Sequence, residues 1–210
     1  MKELGSSLTD SIRAKSSIDL LSTIGDAGLD AAISSGVFDG VPIFGVVTRA
    51  WRAGKEIHHE LFVRKIIRFL KELECVEPSD RQKFLDVLEQ QGKKEDFGEA
   101  ILLILDRLDD TIKPILIGRV LAAHIRGEID YARTMRLAAI IARCYGQDIE
   151  YISEFKSGVQ GKMNAIAESL FAAGLLSQCG INGGNSEPGS GGVIYELNEY
   201  GLLLRKHAFL

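Results

Sequence analysis

Apolar residues recur at near-helical spacing through most of the chain and gather into short β-like runs only between Leu175 and Leu197. A sequence patterned this way folds as a mainly α protein whose strand content is confined to one place near its end. From Thr9 to about Ser34, Ile12, Leu20, Leu21, Ile24, Leu29, Ala32 and Ile33 predict one or two helices, weakened around Gly25 and Gly28. Turn-forming residues collect between Ser34 and Gly40, and Pro42 stands where a first helical residue belongs.

The stripe Ile43, Val46, Val47, Ala50, Ile57, Leu61, Ile66, Phe69, Leu70 and Leu73 predicts one long helix over 41–73, bent or split at Gly45 and Gly54. Its length would be on the order of 45 Å. Pro78-Ser79-Asp80 reads as a stop followed by a fresh N-cap, opening a helix that closes near Gly92. Further helices are expected from Glu95 to Asp109, from Pro114 to Gly127, and from Asp130 to Tyr145. Beyond Gly146 come short helices over 148–155 and 162–173, β-like runs at 175–179 and 193–197, and a last helix opened by Asn198-Glu199. The expected organisation is a helical region over 1–40, a helical bundle over 41–145, and a separate unit over 146–210.

With 210 residues, 46% of them hydrophobic, the chain can bury a substantial core. A charged fraction of 26% and a net charge of -4 give no bulk signal for nucleic acid. Cys75, Cys144 and Cys179 are odd in number and far apart, which points to reduced thiols rather than a disulfide framework or a zinc site. Met1 to Lys15 lacks the apolar core of a signal peptide, so a cytoplasmic location is expected. The nearest approach to a membrane span, Ala27 to Ala50, is interrupted by Asp30 and Asp39.

The segment Ala167-Glu168-Ser169-Leu170-Phe171-Ala172-Ala173-Gly174-Leu175-Leu176, the Gly-rich loop after it, and Tyr195-Glu196-Leu197-Asn198-Glu199-Tyr200-Gly201 resemble the end of a winged-helix domain. In that family a helix ends in such a Gly-Leu turn, a two-stranded wing follows, and a Tyr-x-Leu-Asn-x-x-Gly step enters a closing helix. The resemblance covers about 60 residues, from Asp148 to Phe209. It implies a helix-turn-helix with a β-hairpin, and in most of the family DNA binding through a basic second helix. Here that helix carries only Lys162 against Glu168, and the wing has no Lys or Arg. Between Gly146 and Leu210 the bases Lys156, Lys162, Arg205 and Lys206 face Asp148, Glu150, Glu154, Glu168, Glu187, Glu196 and Glu199. Most DNA affinity comes from neutralised phosphates, so this charge balance favours protein binding or a structural use.

Positive charge gathers elsewhere, at Arg49, Arg52, Lys55, Arg64, Lys65, Arg68 and Lys71, with Trp51 and Phe62 among them. Such a helix could contact anionic lipid, a nucleic-acid backbone or a partner. The favoured reading is a solvated face, since Arg52–Glu56, Glu60–Arg64 and Arg68–Glu72 are i,i+4 pairs. The small-residue pair Gly36 and Gly40, in the apolar segment before it, keeps a lipid role open.

His58 and His59 are adjacent and point about 100° apart on a helix, so they do not form a metal pair. Arg126-Gly127-Glu128-Ile129-Asp130 resembles an inter-helix turn of small domains related to tellurite-resistance proteins, but Asp130 is most simply an N-cap. The run Gly158 to Met163 ends like a phosphate-binding loop, but Lys156 stands in place of that loop's first glycine and Met163 in place of its Ser/Thr. No nucleophile-elbow, zinc-protease or catalytic carboxylate pattern occurs, so no enzyme, cofactor or metal is expected.

These readings converge on a non-enzymatic protein-interaction or regulatory module of bacterial type, acting on a protein partner or on itself. Two alternatives stand beside it. One is a membrane-associated effector of a phage-defence or toxin-like system, peripheral at the inner membrane and using residues 27–50 with the basic helix. The other is a winged-helix DNA-binding regulator.

Overall fold

In the computed structural model the protein is mainly helical, with one two-stranded antiparallel sheet near the C-terminus. The structure describes residues 2–14, 37–51, 57–155, 164–184 and 191–209. They divide into two units, Met1–Glu128 and Ile129–Leu210. The boundary falls between Glu128 and Ile129, so the helix opened by Asp130 lies in the second unit.

In the N-terminal unit the described helices are α1 (Lys2–Arg13), α2 (Pro42–Trp51), α3 (Ile57–Lys71), α4 (Pro78–Gln90), α5 (Lys94–Arg107) and α6 (Lys113–Ile125). The first begins ahead of the expected Thr9; the rest of the helical reading over 9–34, from 15 on, lies outside the described residues. Within the long helix expected over 41–73, bent or split at Gly45 and Gly54, the structure describes α2 and α3, and residues 52–56, including Gly54, lie outside the described residues. Chain geometry explains the earlier end: after Lys71 the backbone turns, with Leu73 N–H bonding to Leu70 O at 3.0 Å and Val76 N–H to Leu73 O at 3.1 Å. Arg81, only 2% exposed, donates to Leu73 O at 2.9 Å and so holds that turn from α4. Pro78 starts α4 rather than stopping a preceding helix, and Glu77, not Asp80, is its N-cap residue.

Two helix crossings in this unit depend on glycine. Helix α1 packs on α5 with Gly5 against Gly98, where a Cβ on Gly98 would lie 2.1 Å from Gly5 O and one on Gly5 2.6 Å from Glu95 O. Helix α3 packs on α6, where a Cβ on Gly118 would lie 2.6 Å from Phe69 O. Backbone approaches this close bring the flanking apolar side chains together, and Leu8, Ile12, Ile66, Leu70, Phe97, Ile101 and Leu121 are all buried. Helix α1 also organises α2, because Ser11 Oγ accepts the Ile43 N–H at 3.0 Å, one of the donors a first helical turn leaves unpaired. Lys94–Asp10 at 2.9 Å and Arg13–Glu89 at 2.9 Å close its edges.

The C-terminal unit contains α7 (Tyr131–Arg143), α8 (Gly146–Glu150) continued by a 3-10 turn (Tyr151–Glu154), α9 (Asn164–Ala173), β1 (Leu176–Asn182), β2 (Gly192–Leu197), α10 (Glu199–Leu204) and a closing π turn (Arg205–Phe209). Asp130 caps α7 as the sequence suggests, its carboxylate accepting the Arg133 N–H at 2.8 Å. Gly174, at φ 95°, ends α9 in a left-handed residue, with Leu175 N–H on Leu170 O at 3.0 Å and Gly174 N–H on Phe171 O at 2.9 Å. The chain then enters β1 with Leu175 and Leu176 buried. The strand runs three residues beyond its expected end at Cys179, and its antiparallel register with β2 slips between Gln178 and Gly180.

The Tyr-x-Leu-Asn-x-x-Gly step has a physical account in this unit. Tyr195 and Leu197 are buried. Asn198 accepts the Gly201 N–H at 3.0 Å and donates to Gly174 O at 3.0 Å, so one side chain caps α10 and ties it to the end of α9. Gly201 is required by contact, since a Cβ there would lie 2.2 Å from Leu175 O.

Candidate interaction surface

The basic residues singled out from sequence do not form one exposed face among the described residues. Arg52 and Lys55 lie outside those residues, as does the side chain of Arg49. Arg64 and Lys71 are half-buried. Lys65 Nζ donates to Asp106 O at 3.1 Å, and Arg68 Nη1 donates to Thr111 O at 3.0 Å. Asp106 lies in the last turn of α5, where helix carbonyls lack intrahelical donors and carry the negative end of the dipole, and Thr111 lies in the turn ahead of α6. Glu72 pairs with Arg119 of α6 at 2.8 Å, a link between helices.

The turn that receives these cations is itself ionic. Lys113, fully buried, binds the Asp109 carboxylate and lies 3.5 Å from that of Asp110. Asp110 also accepts the N–H groups of Ile112 at 2.9 Å and Lys113 at 2.8 Å, opening α6. The Lys113 hydrogen bond holds the Asp109 carboxyl below its ordinary range. Burial pushes Lys65 below the usual lysine value, opposed by the negative charges of Asp106, Asp109 and Asp110. The cluster therefore anchors α3 to the α5–α6 turn. The sequence carried its signal in the acidic run Asp106, Asp109 and Asp110 just ahead of Lys113-Pro114, a negative partner for the positive stripe.

The C-terminal unit presents a different surface. On α9, Ala167, Leu170 and Ala173 face the core, leaving Ala165, Glu168, Phe171 and Ala172 exposed. Phe171 leans on buried Tyr195, ring centroids 5.6 Å apart. Among the described residues every well-exposed large aromatic, Tyr131, Tyr145, Tyr151 and Phe171, belongs to this unit. Aromatic side chains left in water are enriched where proteins meet. Cys179 is exposed on β1 and Cys75 is exposed in the other unit, while Cys144 is buried; all three are free thiols.

Among the described residues no cluster of metal-ligand side chains occurs, and no helix is long and apolar enough to cross a membrane. The side chains of His58 and His59, residues 158–163 and the first part of the 27–50 region, to residue 36, lie outside the described residues. No family model, curated protein or solved structure matches the chain.

Proposed function

We propose that this chain is a non-enzymatic interaction or regulatory module whose C-terminal unit is winged-helix-like and docks on a protein, or on a second copy of itself, rather than on DNA. The supporting architecture is the order of three helices, an antiparallel hairpin and a closing helix, joined by the Gly174 turn and the Asn198–Gly201 step. The observation that carries the reading is the solvent face of α9. In DNA-binding relatives of this architecture the corresponding helix meets phosphates and base edges with basic and polar side chains. Here it offers Ala165, Glu168, Phe171 and Ala172, and residues 174–197 contain no Lys or Arg. A polyanion would meet a carboxylate and an aromatic ring.

The other two readings have less support. Lys65 and Arg68 already donate to carbonyls of their own unit, which leaves fewer cations for phosphates. Phe38, Val41, Ile43, Phe44 and Val47, from the region offered for lipid contact, are buried in the core.

The test is a photo-crosslinking amino acid placed at Phe171 in the full chain, irradiated in the cells that make it, with the same group at exposed Val87 as control. Discrete protein adducts at 171 and not at 87 are expected. Equal background at both positions, or a low-salt anisotropy titration in which a mixed-sequence duplex binds, would overturn the reading.

A further inference from the structure

We propose that Asn182 is a self-modifying site, whose side-chain amide is lost through a cyclic imide closed by the Gly183 nitrogen, leaving a carboxylate at the end of β1 in a normal or a β-linked main chain. The chain has four asparagines, and Asn182 alone precedes a glycine; Asn164, Asn185 and Asn198 precede Ala165, Ser186 and Glu199. A side chain at the following position crowds the attacking nitrogen and restricts its backbone, and glycine removes both obstacles. Asn182, Gly183 and Gly184 are exposed, and Ile181 beside them is 82% exposed, so solvent base and water reach the reacting atoms. Asn182 is the last residue of β1, and Gly183 lies beyond the strand.

The local geometry favours ring closure. Asn182 Oδ1 accepts the Gly184 N–H at 3.1 Å. The ring closed by that bond contains the Gly183 nitrogen, so the side chain is folded back toward the atom that attacks it. The same N–H polarises the Cγ carbonyl and meets the oxyanion that develops there. Asn198 is held in another way, its Nδ2 donating to Gly174 O at 3.0 Å and its Oδ1 accepting the Gly201 N–H at 3.0 Å.

Solvent base takes the Gly183 amide proton, the nitrogen bonds to Asn182 Cγ, and the Cγ–Nδ2 bond breaks as ammonia leaves with a proton from solvent. Water then opens the imide. Cleavage of the new N–Cγ bond gives Asp in the normal chain, and cleavage between that nitrogen and the Asn182 main-chain carbonyl carbon gives the β-linked isomer, longer by a methylene. Nothing is oxidised or reduced. Either product charges a strand, Leu176–Asn182, that has no charged residue. The longer backbone falls at the Asn182–Gly192 pair, where a Cβ on Gly191 would already lie 2.9 Å from Asn182 O. The loop end of the hairpin is therefore loosened, while Leu176 and Leu197, paired and buried at its other end, stay in place. The site is independent of what the C-terminal unit binds.

The experiment incubates the full chain at neutral and at mildly alkaline pH, then digests it under mildly acidic conditions that halt imide formation and maps the peptides by mass spectrometry with electron-transfer fragmentation, which separates the two products. Amide loss is expected at Asn182 ahead of the other asparagines, and faster at the higher pH. Gly183→Ala is the comparison, because a Cβ there meets nothing within 4 Å and Gly183 is not among the positive-φ glycines. It is expected to slow the loss severalfold with the melting temperature unchanged. Equal rates at Asn182 and Asn164, or a folded Gly183→Ala chain that loses the amide as fast as the parent, would overturn the proposal.

Discussion

In the N-terminal unit Lys65, Arg68, Lys113 and Arg119 all end on carbonyls or carboxylates of that unit, whereas in the C-terminal unit Glu150, Glu154, Glu168 and Glu196 face water with no ion pair to a described residue. The two surfaces also differ in their apolar exposure, with Leu61, Val87 and Leu103 on one and Tyr131, Tyr145, Tyr151, Phe171, Ile181 and Leu202 on the other. Charges that join secondary elements define geometry and are poorly placed to recognise anything else. Charges and rings left in solvent have that freedom. On the function proposed above, the first unit is a scaffold and the second carries recognition.

The comparison would break most visibly at the glycine crossings. Gly98→Val forces a side chain into the Gly5 backbone, and a loss of about 3 kcal/mol is expected in a denaturant titration, at the upper end for overpacking. A variant as stable as the parent would mean that α1 is not seated on α5. Next in size is Asp110→Ala, which removes the acceptor for two amides opening α6 and a carboxylate near buried Lys113; a loss of about 2 kcal/mol is expected.

Lys65→Ala and Arg68→Ala sharpen the contrast in charge. Each should cost about 1 kcal/mol or less, since each removes a partly solvated hydrogen bond to a carbonyl, and neither should alter crosslinking at Phe171. Loss of adducts with unchanged stability would move recognition to the N-terminal unit. A smaller effect is expected from acid. The folded Asp109 carboxyl lies below its ordinary value because Lys113 bonds to it, so its contribution is present above the unfolded carboxylate range and disappears as pH falls through the folded value. Asp109→Asn should therefore lower stability slightly at pH 7, with the difference from the parent shrinking as pH falls below the ordinary carboxylate range, as followed by thermal melts across pH. The effect is small because the Asp109 side chain is 69% exposed.

Phe171→Ser should change stability only modestly, by roughly 0.5 to 1 kcal/mol, because the ring is partly exposed and leans on Tyr195. Its effect should appear in binding, as loss of the partner adduct read by crosslinking from a neighbouring position, Ala172. A large loss of stability with binding retained would turn Phe171 from a recognition residue into a core one.

Elements whose causes are local could be read directly from the residues. Helical spacing marked most of the helices, Pro42 marked the start of α2, and Asp130 and Asn198 marked caps that need only their own backbone neighbours. Gly174 and the Gly-rich loop marked the turn into β1 and the hairpin, because a left-handed residue and a tight return are properties of a few consecutive positions. Contacts between distant segments follow from how the helices pack. The end of α3 at Lys71 depends on Arg81 reaching back to Leu73 O, and the place of α7 with the hairpin depends on packing that periodicity does not encode. The basic stripe is the plainest case. Helical spacing put Arg64, Lys65, Arg68 and Lys71 along one helix, but whether such a stripe faces water, lipid or another helix depends on what stands opposite. Asp106 O and Thr111 O, some forty residues away in sequence, are what Lys65 and Arg68 face.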